Sequence, residues 1–240
     1  MTQRGRHRLV IATSNRHKID EFRQILDDEQ WDLIAPADIG IHDFEVVEDG
    51  DTYQANAAKK ARAYANATGL PSLADDSGLE VDALDGKPGI HSARYAGIDS
   101  TGTASSAGAP GTSQDGANRR KLLEALRGVP QDQRGARFRA VVAIAFPYGP
   151  NVRFGEGTIE GHIAEDERGE SGFGYDPIFE LPDGRRLAEL SHDEKNAISH
   201  RGRAARNAQW ALDALATALN RTDSEANEST KQRPDSSQRS

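Results

Sequence analysis

The sequence contains no cysteine, a single methionine and two tryptophans, and aromatic residues make up only 6% of its 240 residues. The lack of cysteine excludes a thiol nucleophile, a disulfide framework and a cysteine-ligated zinc site. No apolar run approaches the length of a membrane-spanning helix, and the first apolar stretch is too short for a secretion signal. We therefore expect a soluble cytoplasmic protein with no membrane contact.

The chain also lacks an excess of positive charge. The chain has 30 lysines and arginines against 38 aspartates and glutamates, which gives a net charge of -8. A protein that binds a nucleic-acid polymer through bulk electrostatics needs an excess of positive charge, so we expect no such partner. This net charge is compatible with a small phosphate ligand that binds in a locally basic pocket.

Two segments are poor in apolar residues and account for much of the low mean hydropathy of -0.71. Residues 98–117 are mostly Gly, Ser, Thr and Ala, and residues 221–240 contain no Val, Ile, Leu, Met or aromatic residue. We predict a flexible surface loop for the first, because core-forming patterns continue on both sides, and a disordered tail for the second. Residues 1–220 then form a single domain.

Apolar runs and helical periodicities alternate along the first part of the chain. The run at 9–12 predicts a strand buried on both faces, and the three- and four-residue spacing of Ile19, Phe22 and Leu26 predicts a helix. A strand at 32–35, a helix at about 52–68 and a third strand follow. This order predicts an α/β fold with flanking helices and a largely parallel central sheet. The segments 137–146 and 152–163 predict an antiparallel hairpin, which makes the sheet mixed.

The sequence TSNRHK, residues 13–18, lies where the first strand passes into the first helix. Asn15 stands in the N-cap position, and the free N–H groups and positive dipole end of the helix favour a phosphate there. Lys18 adds a mobile cation one turn into the helix. The segment lacks the GxxxxGK[ST] pattern of a P-loop, and taken alone it favours an ordinary capped helix with a surface lysine.

Two adjacent carboxylates, Asp75 and Asp76, follow a short apolar run, and a second apolar run begins at Leu79. This pattern predicts a strand, an acidic turn at 75–78 and a second strand to residue 84. Neighbouring carboxylates repel each other, and a divalent cation or a proton would remove the conflict. The alternative is a solvated acidic turn, which the pair alone favours.

The helix at 52–68 is preceded by an acidic segment and carries several cations. Glu48 either complements the helix dipole or binds a metal, and we assign Lys60 and Arg62 to the solvated face. Ligands of α/β proteins collect at the carboxyl ends of parallel strands. The basic segment 13–18 and the acidic segment 75–78 both follow strands at that edge. We therefore expect them to face each other across one crevice that suits a metal-bound polyphosphate.

Residues 171–179, SGFGYDPIF, place Phe173 between two glycines. Such a ring stands clear of the backbone and can stack on a nucleobase, although packing in a core is the commoner use of Phe. A helix predicted from about Glu194 carries Lys195, His200 and Arg201 near its start. A lone histidine is usually structural, but these three donors together indicate an anion or base-edge site.

Four separated motifs together resemble the noncanonical purine NTP pyrophosphatases, the inosine and xanthosine triphosphate pyrophosphatase family. They are TSNRHKIDEF, LADDSGLEVDALDGKPGIHSARYAG, GFGYDPIF and EKNAISHRGRA, within about residues 8–216. The resemblance implies a mixed-sheet α/β fold with two lobes around a cleft, a homodimer and Mg²⁺. It also implies hydrolysis of ITP, dITP or XTP to the monophosphate and pyrophosphate, a house-cleaning reaction of nucleotide pools.

The resemblance also assigns roles to individual residues. Those matched to triphosphate binding are Thr13, Ser14, Asn15, Arg16, His17 and Lys18, with Ser14 where the family commonly has Gly. Asp76 is matched to a Mg²⁺ ligand that also accepts a proton, Glu48 to a second metal ligand and Ser77 to a substrate contact. Those matched to the base and sugar are Phe173, which stacks, Gly174, Tyr175 and Asp176. Lys195, His200 and Arg201 complete phosphate and base recognition.

Two other functions fit the same residues. A non-catalytic nucleotide-binding or sensing protein would keep the pocket without turnover, although binding alone does not need a carboxylate base. A house-cleaning hydrolase with a different base preference, such as a dUTP or general NTP pyrophosphatase, would keep the chemistry. The sequence leaves open which of Asp75 and Asp76 is the base, how many metal ions bind and which purine is preferred.

Overall fold

The computed structural model describes residues 6–26, 29–97 and 113–231, without the side chains of 223–231. The elements in these ranges are β1 His7–Ile11, α1 Arg16–Ile25, β2 Trp31–Ile34, α2 Tyr53–Thr68, β3 Ser72–Val81, α3 Gln114–Ala125, β4 Gly135–Ala145, β5 Val152–Ile163, β6 Phe179–Glu180, α4 His192–Ile198 and α5 His200–Lys231. Helices flank a single mixed sheet, so the mixed α/β fold predicted from the sequence is confirmed.

The strands are ordered β2-β1-β3-β4-β5-β6 in one six-stranded sheet. Strand β1 pairs in parallel with β2 and with the start of β3, at Ser72 and Leu73. From β3 onward every pairing is antiparallel, and the predicted hairpin is formed by β4 and β5. The sheet is therefore mixed, as predicted, but it is not largely parallel, because the long hairpin pairs with β3. Because β3 continues beyond the end of β1, it leaves Asp75 and Asp76 at the carboxyl edge of the parallel part.

The acidic turn predicted at 75–78 does not form, because β3 is one continuous strand. Asp75 lies opposite Val142 and Asp76 opposite Val141 in the antiparallel ladder with β4. Successive side chains of a strand point to opposite faces of the sheet. The two carboxylates therefore do not face each other, and each meets partners of its own.

Helices cover both faces of the sheet. Helices α1 and α5 pack on the face that carries Ile11 and Val142, and α2 packs on the face that carries Val10 and Val141. A separate core lies at the far end of the antiparallel strands, where Leu79 meets α3 and the segment before β6. A cleft separates this core from the other two.

Helix α5 approaches β5 closely because β5 carries glycines at the contact. A Cβ atom on Gly155 would lie 2.3 Å from the carbonyl oxygen of Ala204, and one on Gly157 would lie 2.2 Å from that of His200. Any larger residue would push the helix away from the sheet. The two glycines thus bring the first turn of α5, which carries His200 and Arg201, against the cleft.

Local capping moves two helix boundaries away from their predicted positions. The helix predicted from Glu194 is two helices, α4 and α5, separated by Ser199, which is extended with a ψ of 156°. Ser113 caps α3 by accepting the Gly116 N–H at 3.2 Å, so residues 114–117, predicted as loop, are helical. The rest of the predicted loop, residues 98–112, lies outside the described residues.

Helix α5 runs to Lys231, past residue 220, where a disordered tail was predicted to begin. Residues 221–231 contain no Gly or Pro, and extending an existing helix is far easier than nucleating one. Residues 232–240 of the predicted tail lie outside the described part of the chain. Despite the length of α5, no helix among the described residues is apolar enough over a sufficient length to cross a membrane.

Candidate active site

The basic and acidic segments meet where β1 ends. Asn15 caps α1 by accepting the Lys18 N–H at 3.3 Å, which places Lys18 in the first helical turn. Its Nζ lies 3.1 Å from Oδ2 of Asp75 on β3. The predicted crevice between the two segments is therefore present, and the lysine is not the free surface cation of the alternative interpretation.

Asp75 belongs to a buried chain of alternating charges. Its Oδ2 accepts a hydrogen bond from Nε of Arg201 at 3.1 Å, and Nη1 of Arg201 donates to Glu21. Lys195 Nζ donates to Oε1 of Glu21 at 2.8 Å and to Oδ2 of Asp176 at 2.7 Å. None of these side chains is more than 7% exposed. The chain of charges joins α1, β3, α4, α5 and the segment before β6, and so fixes the elements around the cleft.

The two adjacent aspartates differ in their electrostatics. Burial alone would raise the pKa of Asp75, but the cations Lys18, Arg201 and Lys60 outweigh it and hold that pKa well below its usual range. Burial raises the pKa of Asp76 to about 6, assisted by the nearby Glu48 charge and opposed by Lys60. Asp75 is therefore a permanent anion, whereas Asp76 has a pKa close to neutral pH, as suits a general base.

Asn56 of α2 connects Asp76 to the acidic segment before the helix. Its Nδ2 donates to Oδ2 of Asp76 at 3.0 Å, and its Oδ1 accepts the Gly50 N–H at 2.8 Å. A Cβ atom at Gly50 would lie 2.8 Å from this Oδ1, so only glycine permits the contact. The segment that carries Glu48 is thereby held beside Asp76.

Lys60 was predicted to lie on a solvated face, and this prediction is wrong. Its side chain is only 12% exposed and forms an ion pair with Glu48. Burial would lower the pKa of Lys60, but the charges of Asp75 and Glu48 raise it above its ordinary value. Arg62 is exposed, as predicted. The face of α2 that holds Lys60 is covered by the acidic segment, which local sequence periodicity does not reveal.

The carboxylates that could hold a metal are Asp76 and Glu48. No group of three or more His, Asp or Glu side chains suited to a metal occurs in the part of the chain that the structure describes. Magnesium commonly binds one or two carboxylates and takes its other ligands from substrate phosphates and water. The donor set therefore fits a Mg²⁺ ion that is completed by a triphosphate.

A cavity next to this pair collects most of the predicted substrate-binding residues. From the predicted set it is lined by Asn15, Lys18, Ser77, Phe173, Gly174, Tyr175, Asp176, Lys195, His200 and Arg201. Lining residues that were not predicted are Gly78, Ser92, Ala93, Asp115, Asn118 and Phe138. Thr13 and Ser14 line a neighbouring cavity with Glu48 and Lys60, and Arg16 is exposed on α1.

Phe173 stands at the cavity wall and is partly exposed. Its ring stacks on that of His17, with centroids 5.4 Å apart and an interplanar angle of 16°. The ammonium of Lys195 lies 4.8 Å from the Phe173 centroid and the guanidinium carbon of Arg201 lies 5.5 Å from it. The ring is thus oriented at the cavity by three cationic or aromatic neighbours. Tyr175 instead is buried and donates its hydroxyl to the Ser92 carbonyl at 2.9 Å.

His200 and Arg201 are both buried at the cavity, but only one of them has an unused polar atom. Burial lowers the pKa of His200 well below its ordinary value, its ring stacks on Phe138 at 4.8 Å, and its Nδ1 meets no partner among the described residues. Arg201 is already bonded to Asp75, Glu21 and Ser77. A buried polar atom without a partner is costly, so the His200 ring is suited to bind a ligand.

The sequence model of the Ham1 family matches residues 9–210. The chain belongs to the Ham1 family. It is 48% identical over 199 residues to the dITP/XTP pyrophosphatase of Geobacter sulfurreducens, an alignment that covers 82% of this chain and 92% of that protein. It is 44% identical over 206 residues to the dITP/XTP pyrophosphatase of Bacillus subtilis, with coverage of 85% and 96%. The family predicted from the four motifs is thereby confirmed.

Solved structures of Ham1 proteins have the same fold. The HAM1 protein from Coxiella burnetii superimposes with a TM-score of 0.69 and 39% identity, covering 90% of this chain and 99% of that one. The nucleoside-triphosphatase, or dITP/XTP pyrophosphatase, from Mycobacterium abscessus gives a TM-score of 0.61 and 38% identity, covering 87% and 98%.

Three residues of this Ham1 family site are not found by reading the sequence alone. Glu21 neutralises both Lys195 and Arg201, Asn56 bonds Asp76, and Lys60 pairs with Glu48. Glu21 gives one usable signal, because it lies next to Phe22 on the buried side of α1, where a charge requires a partner. Asn56 and Lys60 give no such signal, since an Ala-rich helix has no sharply defined apolar face.

Proposed function

We propose that this chain is a nucleoside triphosphate pyrophosphohydrolase that converts ITP, dITP and XTP to the monophosphate and pyrophosphate, and so removes noncanonical purines from nucleotide pools. The observation that carries the proposal is Asp76, a carboxylate with its pKa raised to about 6 and held by Asn56, directly before Ser77, which lines the cavity. Relatives 44% and 48% identical over most of the chain bear the name dITP/XTP pyrophosphatase, which supports the same substrates.

The triphosphate is proposed to lie along the start of α1, near the cations Lys18 and Lys60. Free N–H groups at a helix N-terminus favour phosphate, and both lysines are partly buried beside Asp75. Thr13 and Ser14 line the cavity that also contains Lys60 and therefore supply further polar contacts. Buried cations at this position stabilise the charge that develops as pyrophosphate leaves.

Asp76 is proposed to accept the proton of the water that attacks the α-phosphorus. Its raised pKa makes proton transfer near neutral pH favourable, whereas Asp75 is already neutralised by Lys18 and Arg201. When bound by Asp76 and Glu48, Mg²⁺ supplies charge neutralisation on the phosphate oxygens. Asn56 holds the Asp76 carboxylate in position through its 3.0 Å hydrogen bond.

The base is proposed to stack on Phe173 and to present its polar edge to His200. The Nδ1 atom of His200 is buried without a partner, so a ligand atom would satisfy it. Lys195 and Asp176, which bond each other at 2.7 Å, also line this cavity. We further propose a homodimer that acts in the cytoplasm, as the resemblance to the family implies.

A substrate screen tests the proposal against the alternative of a nucleotide-binding or sensing protein without turnover. Purified protein with Mg²⁺ is given ITP, dITP, XTP and the common nucleoside triphosphates, and pyrophosphate and orthophosphate are measured separately. We expect pyrophosphate, without orthophosphate, from the 6-oxo noncanonical purines. Binding without release of either product would favour the sensing protein, and orthophosphate release would refute the proposed cleavage site.

A further inference from the structure

Helix α3 has no part in the function proposed above, yet it forms one wall of the nucleotide cavity. Asp115 and Asn118 line the cavity beside Gly174 and Tyr175. On its other side the helix is anchored by Leu122, which is fully buried in the core at the far end of the sheet. The core contact of Leu122 therefore holds helix α3 in place, with its polar side chains at the cavity.

Two side chains of α3 bind the backbone of Gly174, in the segment that carries Phe173, one at its N–H and the other at its carbonyl. The carboxylate of Asp115 accepts the Gly174 N–H at 2.8 Å, and Nη1 of Arg119 donates to the Gly174 carbonyl at 2.7 Å. Residues four apart lie on the same helix face, so the two side chains act side by side. Gly174 has a φ of +64°, which favours glycine, and α3 takes up both of its backbone polar groups.

The same helix is also bonded to a second segment of the cavity lining, at Ala93. Asn118 accepts the Ala96 N–H at 2.7 Å and donates to the Ala93 carbonyl at 3.0 Å. Arg119 is itself held by an ion pair with Glu167, at 3.0 Å. Helix α3 thus connects two segments of the cavity lining, one at Ala93 and the other at Gly174.

We propose that Asp115 and Arg119 are positioning residues for base recognition, which hold the Gly174 backbone and through it the ring of Phe173. The substrates concerned are the 6-oxopurine nucleotides, so the inference rests on the proposed function. Asp76 is not among the described residues that line this cavity. Loss of the α3 contacts therefore acts on KM and on base preference more than on the hydrolytic step.

The test compares Asp115→Ala and Arg119→Ala with Arg120→Ala, a matched change at an exposed position of the same helix. The values of kcat and KM are measured for dITP and dATP by pyrophosphate release. We expect Asp115→Ala to raise the KM for dITP by about 10-fold and to narrow the preference for dITP over dATP, with a smaller change in kcat. Asp115→Asn keeps an acceptor oxygen and should recover most of the loss, and Arg120→Ala should match the wild type.

A wild-type KM and base preference in Asp115→Ala would overturn the proposal, as would a loss of kcat at unchanged KM. Where an alanine variant does not fold, Arg119→Lys, which keeps the charge but loses the guanidinium fork, should give the same shift in KM with smaller amplitude. Exchange of the Gly174 amide hydrogen gives a second readout that needs no turnover. It should be faster in Asp115→Ala than in the wild type, and an unchanged rate would overturn the proposal even if the wild type released no pyrophosphate.

Discussion

Replacing Asp76 with asparagine should separate the activity of the site from its stability. Burial, assisted by the Glu48 charge, raises the pKa of Asp76 from its ordinary 3.8 to about 6 in the folded protein. The folded state therefore binds this proton more tightly than the unfolded state, and ionisation destabilises the fold as pH rises through that window. Two pKa units correspond to about 3 kcal/mol, which is an upper bound because Asp76 keeps some contact with solvent.

With a chelator present, Asp76→Asn should be more stable than the wild type at and above about pH 7, by up to about 3 kcal/mol in the free energy of unfolding. The difference should shrink as the pH falls from about 6 to 3.8, the two pKa values of Asp76. Urea denaturation across this range measures it. In the same protein, turnover of dITP should fall by about 10²–10⁴-fold, because the general base is gone.

Asp75→Asn is the matched control, since it makes the same chemical change at the neighbouring position. Lys18 and Arg201 hold the pKa of Asp75 below its ordinary value of 3.8. The ionised carboxylate therefore stabilises the folded state at pH values above 3.8, and this stabilisation is lost as the pH falls toward the pKa of the folded state. Removing the carboxylate leaves Lys18 without its anion and Arg201 with Glu21 alone, which costs up to about 3–5 kcal/mol. Equal destabilisation by both substitutions, or wild-type turnover in a folded Asp76→Asn protein, would refute the division of roles.

The remaining predictions concern His200, Lys60 and the end of α5. His200→Phe keeps the stacking on Phe138 but removes the unpartnered ring nitrogen. The value of kcat/KM should therefore fall about 10-fold more for dITP than for dATP. Equal losses for the two substrates would assign His200 a purely structural role. Lys60→Met should lower the melting temperature, because Glu48 loses its ion-pair partner, and should raise the KM for every triphosphate alike. A change in KM confined to one base would contradict the phosphate assignment. Truncation after Asn220 should change neither the melting temperature nor the activity, because the residues beyond it include no Val, Ile, Leu, Met or aromatic side chain to bury. A fall in either quantity would show that this segment packs on the domain.

The parts of the fold that local interactions determine could be predicted from the sequence. Three elements depend on residues within a few positions of one another: the strand before Thr13, the Asn15 cap and the helix that is capped by Gly69. The same applies to the β4–β5 hairpin, whose two strands flank a short turn. These elements appear where the patterns place them, within a residue or two.

The acidic turn at 75–78 was predicted wrongly because its true conformation depends on a distant strand. Asp75 and Asp76 pair with Val142 and Val141, and the sequence around the aspartates contains no information about that ladder. Read locally, two carboxylates followed by Ser and Gly are typical of a turn. Tertiary pairing with β4 and burial beside Lys18 outweigh this preference.

The buried charges show why a site of this kind is assembled only by the complete fold. Arg201 reaches Glu21 across 180 residues of sequence and Asp75 across 126, and Lys195 reaches Glu21 across 174. Each charge would be unfavourable in the cleft alone, because losing its hydration costs several kcal/mol that only an opposite charge at contact distance offsets. Signs therefore alternate from Lys18 to Asp176, and the network is stable only as a whole. Asp76, on the other face of β3, is left without a matching cation of its own, and that imbalance is what gives it a pKa suited to taking a proton from water.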